Sequence, residues 1–270
     1  MSGYVGDPRG IAKKIDKLYV GDGAGIARAV QKAYFGDSRG VAELWYQRGT
    51  PLGSLAVGSI VKIKVNGASK DFIVVQQGNP DTSVYDVSCD GTWLLMKDIY
   101  ENRAWHSSNI NDYANSTIHS YLNSTFLNLF ESNIKNAIKQ VKIPYCIIGS
   151  WSTTVNNGSN GLSAKIFLLS ATETSFSFPS VKKGEGAELA YFKGCVDNNS
   201  DPKRVAKLND SAVGWWLRSP GSAGYKSYAM YVNFNGGWGD SYCSYSYGIR
   251  PALVLPQEVL VDKNNNVMGG

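Results

Sequence analysis

Two stretches frame this chain: Gly214-Trp215-Trp216-Leu217-Arg218-Ser219-Pro220 and Gly248-Ile249-Arg250-Pro251-Ala252-Leu253-Val254-Leu255. Each is a short apolar run punctuated by Gly and Pro, the pattern of a buried strand. Successive side chains of a strand face opposite sides. One of Trp215 and Trp216 is therefore expected in the core and the other beside the segment between the two stretches. Arg218 and Arg250 are expected to be scaffold, pairing with backbone carbonyls or a carboxylate.

That segment, residues 221–247, reads GSAGYKSYAMYVNFNGGWGDSYCSYSY. Tyr, Ser, Gly, Asn and Asp supply 19 of its 27 residues, and Lys226 and Asp240 carry its charges. Tyr gives a large, rigid, amphipathic contact area with few torsions to freeze, and Ser, Gly and Asn give adaptable hydrogen bonds. Aromatic faces suit sugars and protein side chains alike. The candidate ligand-binding residues are Tyr225, Ser227, Tyr228, Tyr231, Asn233, Asn235, Asp240, Tyr242, Ser244, Tyr245 and Tyr247, expected largely on one exposed surface. Val232 and Trp238 are expected to point inward. The same palette is what adenine-directed diversification of AAC-type codons produces, and the interspersed Ala229, Met230, Val232 and Trp238 would keep a fixed core beneath a changing surface.

Working outward, Val61-Lys62-Ile63-Lys64-Val65 and Phe72-Ile73-Val74-Val75 flank a Gly67-bearing turn and read as a hairpin. Thr92-Trp93-Leu94-Leu95-Met96 and Lys165-Ile166-Phe167-Leu168-Leu169 read as core strands. Ile118, Tyr121 and Leu122 share a helical face, with Asn115 or Ser116 as N-cap. A second helix is expected around Ile134 and Ile138, and a short one over Ala187-Glu188-Leu189-Ala190-Tyr191-Phe192.

At the N-terminus, Tyr4-Val5-Gly6-Asp7, Tyr19-Val20-Gly21-Asp22 and Tyr34-Phe35-Gly36-Asp37 recur every 15 residues. Each is followed at one offset by Gly and a small apolar pair. Gly-Asp-x-x-Gly is turn chemistry, so short strands or hairpins are expected. A unit this short must stack on its neighbours or on other chains.

The expected organisation is 1–48 repeats for attachment or oligomerisation, 49–53 linker, 54–257 body and 258–270 tail.

WWLRSP, a polar segment and YGIRPALVL together resemble the C-terminal half of a phage and bacterial module of C-type-lectin-like fold, supported by VGSIVKIKVNG, TWLLMKDI, NSTIHSYLNSTFL, VKIPY, KIFLLSATE and LAYFK. That module is related to formylglycine-generating enzymes and to the variable proteins of diversity-generating retroelements. The resemblance implies an α+β body with small twisted antiparallel sheets, two helices and long loops. The N-terminal repeats resemble those of phage and prophage structural proteins, and this implies a homo-oligomer, with the trimer borrowed from phage fibres.

Composition narrows function. Three of the five net positive charges lie in residues 1–50, so the body is close to neutral and a nucleic-acid face is not expected. No apolar run approaches the about 18 residues of a membrane span, and no secretory signal is read. Cys89, Cys146, Cys195 and Cys243 show no metal or disulfide spacing and read as buried thiols. His106 and His119 sit in no hydrolase or metalloprotease motif, and His119 reads as structural. Cys243 has no Cys partner nearby, so the related oxidoreductase activity does not carry over. The expectation is a non-enzymatic receptor-binding, adhesin-like protein of a virion tail, made in a bacterial cytoplasm, without cofactor or metal. Its partners would be a bacterial surface protein or carbohydrate, itself, and other tail proteins. The alternatives are an enzyme on the same fold and a bacterial cell-surface lectin.

Overall fold

The computed structural model describes residues 49–147, 154–177, 181–195, 200–221 and 226–268, together with strand backbone between 4 and 47. The fold is mixed α+β and dominated by small sheets. At the N-terminus each 15-residue repeat forms an antiparallel pair. Tyr4–Gly6 pairs with Ala12–Lys14, Tyr19–Gly21 with Ala27–Ala29, and Lys32–Gly36 with Ala42–Gln47.

Two five-stranded sheets build the body. The first contains β1 (Ile60–Val65), β2 (Ala68–Gln77), β3 (Thr92–Met96), β5 (Ile166–Phe167) and β10 (Ala252–Leu255), in the spatial order β5-β10-β3-β2-β1, all antiparallel. Along β1, Val61, Ile63 and Val65 are buried while Lys62 and Lys64 are exposed, as strand alternation requires. The central strands β3 and β10 are buried throughout. The second sheet contains β4 (Asn102–Ala104), β6 (Trp215–Pro220), β7 (Tyr228–Val232), β8 (Trp238–Tyr242) and β9 (Ser246–Gly248), in the order β4-β9-β6-β7-β8. Its one parallel contact joins β6 to β9.

Helix α1 (Thr117–Tyr121) is capped by Ser116, whose Oγ accepts from the His119 amide at 3.1 Å, and runs on into wider and tighter turns to Leu129. Helix α2 (Ser132–Ala137) buries Ile134, with Ile138 at its C-cap. The helix expected over 187–192 does not form. The Leu189 amide donates to Glu173 O, the Ala190 amide to Gln76 Oε1 and the Tyr191 amide to Val75 O. These tertiary acceptors replace the i−4 carbonyls a helix would use. Among the described residues, no helix is long and apolar enough to cross a membrane.

Both Trp215 and Trp216 are fully buried, which corrects the expectation that only one would be. Strand β6 is covered on both faces, so alternation no longer separates core from surface. Each buried indole donates to a backbone carbonyl: Trp93 to Cys89, Trp105 to Leu217, Trp215 to Arg204 and Trp216 to Arg103. Arg218 lies in the same interior. It forms a two-pronged ion pair with Glu173 at 2.6 and 2.7 Å and donates to the carbonyls of Pro144, Leu168 and Glu185. Arg250 donates from Nε to Met96 O at 2.9 Å and lies over the Trp215 ring. All four cysteines are buried free thiols.

The expected linker 49–53 and residues 258–268 of the expected tail both pack on the body. Thr50–Pro51 pairs with Leu260–Val261, Leu52 is fully buried, and its amide donates to Val259 O. Asn265 and Asn266 run back alongside Lys62. A chain starting at Gly49 should therefore unfold in one cooperative transition. A chain starting at Leu55 should lose about 2–3 kcal/mol or more, the value of one buried Leu side chain before the lost strand pairing is added. Urea denaturation of the two chains checks this; equal midpoints would place the boundary after Leu52.

Candidate ligand-binding face

The face is built from the β7–β8 hairpin. Its register sets Tyr228 opposite Tyr242, Ala229 opposite Ser241, Met230 opposite Asp240, Tyr231 opposite Gly239 and Val232 opposite Trp238. Asn233 closes the hairpin: its Oδ1 accepts from the amides of Asn235 and Gly237, while its own amide donates to Gly237 O. Asn235 Oδ1 also accepts from the Gly237 amide. Gly236 holds a φ of +86°, and its backbone lies tight against that of Asp201, so no side chain fits there. Asn233 and Asn235 thus serve as turn scaffold, with Asn233 half-buried and Asn235 exposed.

The tyrosines sort into two clusters rather than one surface. Tyr228 and Tyr231 are three residues apart on one strand, an odd spacing that sends them to opposite faces. On one side Tyr228, Tyr242 and Tyr245 form a run, with ring centroids 4.4 and 5.4 Å apart. Tyr242 and Tyr245 are 39% and 55% exposed, and Tyr228 is half-buried. On the other side Tyr231 stacks on Tyr247 at 4.3 Å, and both meet the buried Trp216 edge-on. Tyr231 and Tyr247 are half-buried. Burial, followed by the Tyr247 hydroxyl and the Asp240 carboxylate, pushes the Tyr231 phenol up to about 12. Trp216 therefore underlies this second cluster although it is not itself exposed.

The remaining expected residues divide as follows. Ser244 is exposed, and Ser227 and Asp240 are half-buried. Val232 points inward, whereas Trp238 packs against the core but stays half-buried. Tyr225 lies outside the described residues. Phe234, at the hairpin tip and 65% exposed, is an aromatic the sequence reading left out of its site.

Sequence reasoning also missed the loop 106–111. His106 N donates to Cys243 O, Asn109 Oδ1 accepts from the Ser244 amide, and Asn111 binds the carbonyls of Lys226 and Tyr228. The loop thereby props the Tyr228–Tyr242–Tyr245 run and brings exposed Ile110 to the same region. Asn109 and Ser244 are 135 residues apart, so no local signal foretells the contact. The His106 ring accepts from the Ser108 amide. His119 packs beside Tyr113 and Asn123, and burial pushes it down to about 4, so it stays neutral at physiological pH, as a structural residue would. Among the described residues no three His, Cys, Asp or Glu side chains converge as a metal set.

Gly214 and Gly239 make room for the stacked pair. A Cβ on Gly239 would lie 2.6 Å from the Tyr231 ring, and one on Gly214 would lie 3.1 Å from Tyr231 and 3.2 Å from Tyr247. Replacing Gly239 by Ala should cost about 1–3 kcal/mol of stability through overpacking. Because the clash is with one ring, adding Tyr231→Ala should make the pair of changes less destabilising than their sum. Chemical denaturation of the double-mutant cycle measures this; additive values would show that the ring is not what Gly239 accommodates.

Residues 90–257 match the sequence model of a family described as a domain of unknown function, DUF6273. No curated protein and no solved structure matches the chain. The matched stretch takes in β3 to β10, and with them both five-stranded sheets' central strands and the whole tyrosine-bearing hairpin. It covers more than half of the chain, which therefore belongs to the DUF6273 family.

Proposed function

We propose that this chain is a recognition protein, a C-type-lectin-like body on a self-associating N-terminal segment, acting as a receptor-binding component of a phage or prophage tail. The observation that carries the reading is the exposed run Tyr228–Tyr242–Tyr245, held by cross-strand pairing on one side and by the loop 106–111 on the other. Tyrosines already fixed in contact with one another lose little further freedom on binding, so their contact area contributes to affinity with a small entropic penalty. Lys226 and Asp240 are the only charges in 221–247, which favours a neutral ligand such as a surface saccharide or an uncharged protein patch.

The three successive hairpins of residues 4–47 support the attachment role, since each is too short to stand alone. Several weak sites on one assembly then bind a cell surface with far greater avidity than any single copy. Diversification of the gene fits this face at Tyr242, Ser244 and Tyr245, which are exposed, and conflicts with Asn233 and Asn235, which close the hairpin. A reverse transcriptase and a template repeat beside the gene would support that part of the proposal, and their absence would remove it.

The binding reading is tested with labelled full-length protein on whole bacterial cells and on a glycan array. Tyr242→Ala and Tyr245→Ala should each weaken binding by about tenfold or more, the effect of a hot-spot aromatic. Their stability should change by no more than about 0.5 kcal/mol, because both side chains are exposed. Binding unaffected by either change would overturn the assignment of this face. Light scattering at micromolar concentration tests self-association, and a monomer would leave the N-terminal hairpins without that role.

A further inference from the structure

Beside strand β6 the interior gathers two carboxylates, Glu173 and Glu185, around one guanidinium, Arg218, all three fully buried. Glu173 takes both Nη atoms of Arg218, and also accepts from the Tyr85 hydroxyl at 2.7 Å and the Ser170 amide at 2.9 Å. Glu185 reaches Arg218 only through its backbone carbonyl. Its side-chain Oε2 accepts from the Ser219 hydroxyl at 2.5 Å. Its Oε1 is buried and meets no N–H or O–H donor among the described residues, and the Cys146 thiol is the weak donor that faces this carboxyl. Arg218 has no donor left to offer it, because the carbonyls of Pro144, Leu168 and Glu185 and the Glu173 carboxylate use all five.

The groups that face the Glu185 carboxyl are Arg218 and Ser219 from β6, Glu173 from the 170–175 turn, and Cys146 from the Tyr145–Cys146 strand, with Lys182 of Glu185's own segment near the thiol. With both glutamates ionised, the cluster carries one uncompensated negative charge in the interior. With Glu185 protonated, its charges balance. Burial accordingly pushes Glu185 up to about 7, against the pull of Arg218.

The segment 181–187 lies tight against this cluster. The Ala187 amide donates to the Tyr85 hydroxyl at 2.9 Å. Gly186 sits at a φ of +155°, where a Cβ would come within 2.8 Å of Tyr85 Oη and 2.9 Å of Glu173. We propose that Glu185 is a proton latch: as the neutral acid it holds segment 181–187 closed against Arg218, Tyr85 and Cys146, and as the carboxylate it releases that segment. The release opens the Cys146 side of the cluster while the two five-stranded sheets stay intact.

The sign follows from linkage. The closed form binds the Glu185 proton more tightly than the open form, whose carboxyl titrates near the ordinary value of about 4.3. Opening therefore becomes easier by about tenfold per pH unit between about 5 and 7, and levels off above that. The test is amide hydrogen exchange on the full chain, with protection factors corrected for intrinsic rates, read at Glu185 and Ala187, whose amides donate to Lys182 O and to the Tyr85 hydroxyl, and, for comparison, at Leu94 in β3. The two latch amides should lose protection about tenfold per pH unit across that window, through an opening nearly insensitive to urea, whereas Leu94 should follow the urea-sensitive global transition. In Glu185→Gln, which keeps the shape of the neutral acid, latch protection should be high and independent of pH. Flat protection in the native chain would overturn the latch. So would latch amides that share the urea dependence of Leu94, or a pH dependence that survives in Glu185→Gln.

Discussion

Arg218 is the interaction on which the body depends. Its five N–H donors all have acceptors, on four residues from three stretches of the chain: Pro144, Leu168 with both oxygens of Glu173, and Glu185. Its own amide donates to Leu169 O, and Ser219 Oγ accepts from the Ala171 amide. Strand β6 of the second sheet is thereby fastened to the segment that leaves β5 of the first. A buried ion pair adds little net stability against an apolar core of the same shape, but losing one partner leaves a bare charge and costs about 3–5 kcal/mol. In the docking observed all five donors are satisfied at once, so a displacement of the two sheets that breaks any of these bonds leaves a buried charge short of a partner.

That fixed docking explains where an exposed tyrosine face can be. Strands β6 and β7 are joined at Trp215–Val232 and Trp216–Tyr231, and β8 is the outermost strand of its sheet. The rings on one side of the hairpin rest on Trp216 and on the hollow left by Gly214 and Gly239. The rings on the other side stand at the surface, with the loop 106–111 beside them. The interior side makes the hairpin stiff, and the exterior side leaves Tyr242 and Tyr245 exposed. A Tyr-rich segment with only the second property would have to order itself on binding, at the expense of affinity.

How much of this could be read in the sequence follows from how local each cause is. The β1 alternation of Val61, Ile63 and Val65 with Lys62 and Lys64 carries its own period, and so do the three N-terminal repeats, so both are visible in single segments. The N-cap at Ser116 is equally local. The apolar stretch of β6 announces a strand, but not that both of its faces are covered. Residues 187–192 have helical composition, yet Glu173, Gln76 and Val75 compete for their amides from far along the chain. The pairing of Thr50–Pro51 with Leu260–Val261 has no local signature either, so a Gly- and Pro-marked stretch reads as a linker. The same holds for the site: the Tyr palette is legible, while its division into two faces and the support from loop 106–111 are tertiary facts.

The composition of 221–247 therefore has two meanings that a sequence does not separate. Asn is useful to a binding surface because its amide adapts to many partners, and useful to a hairpin because its Oδ1 mimics a backbone carbonyl in a tight turn. At Asn233 and Asn235 the second use prevails, since both oxygens already accept from amides of the turn. Tyr likewise serves as surface at Tyr242 and Tyr245 and as packing at Tyr231 and Tyr247. A process that varied the segment would therefore be constrained by structure within its own palette. Exchanges among Tyr, Ser and Asp at 242, 244 and 245 act mainly on exposed side chains, whereas the same exchanges at 231, 233 or 235 alter the stack and the turn of the hairpin itself. Exposed and packed residues are interleaved here residue by residue, so a surface of this kind keeps its shape only while its tyrosine stack and its asparagine turn are held constant.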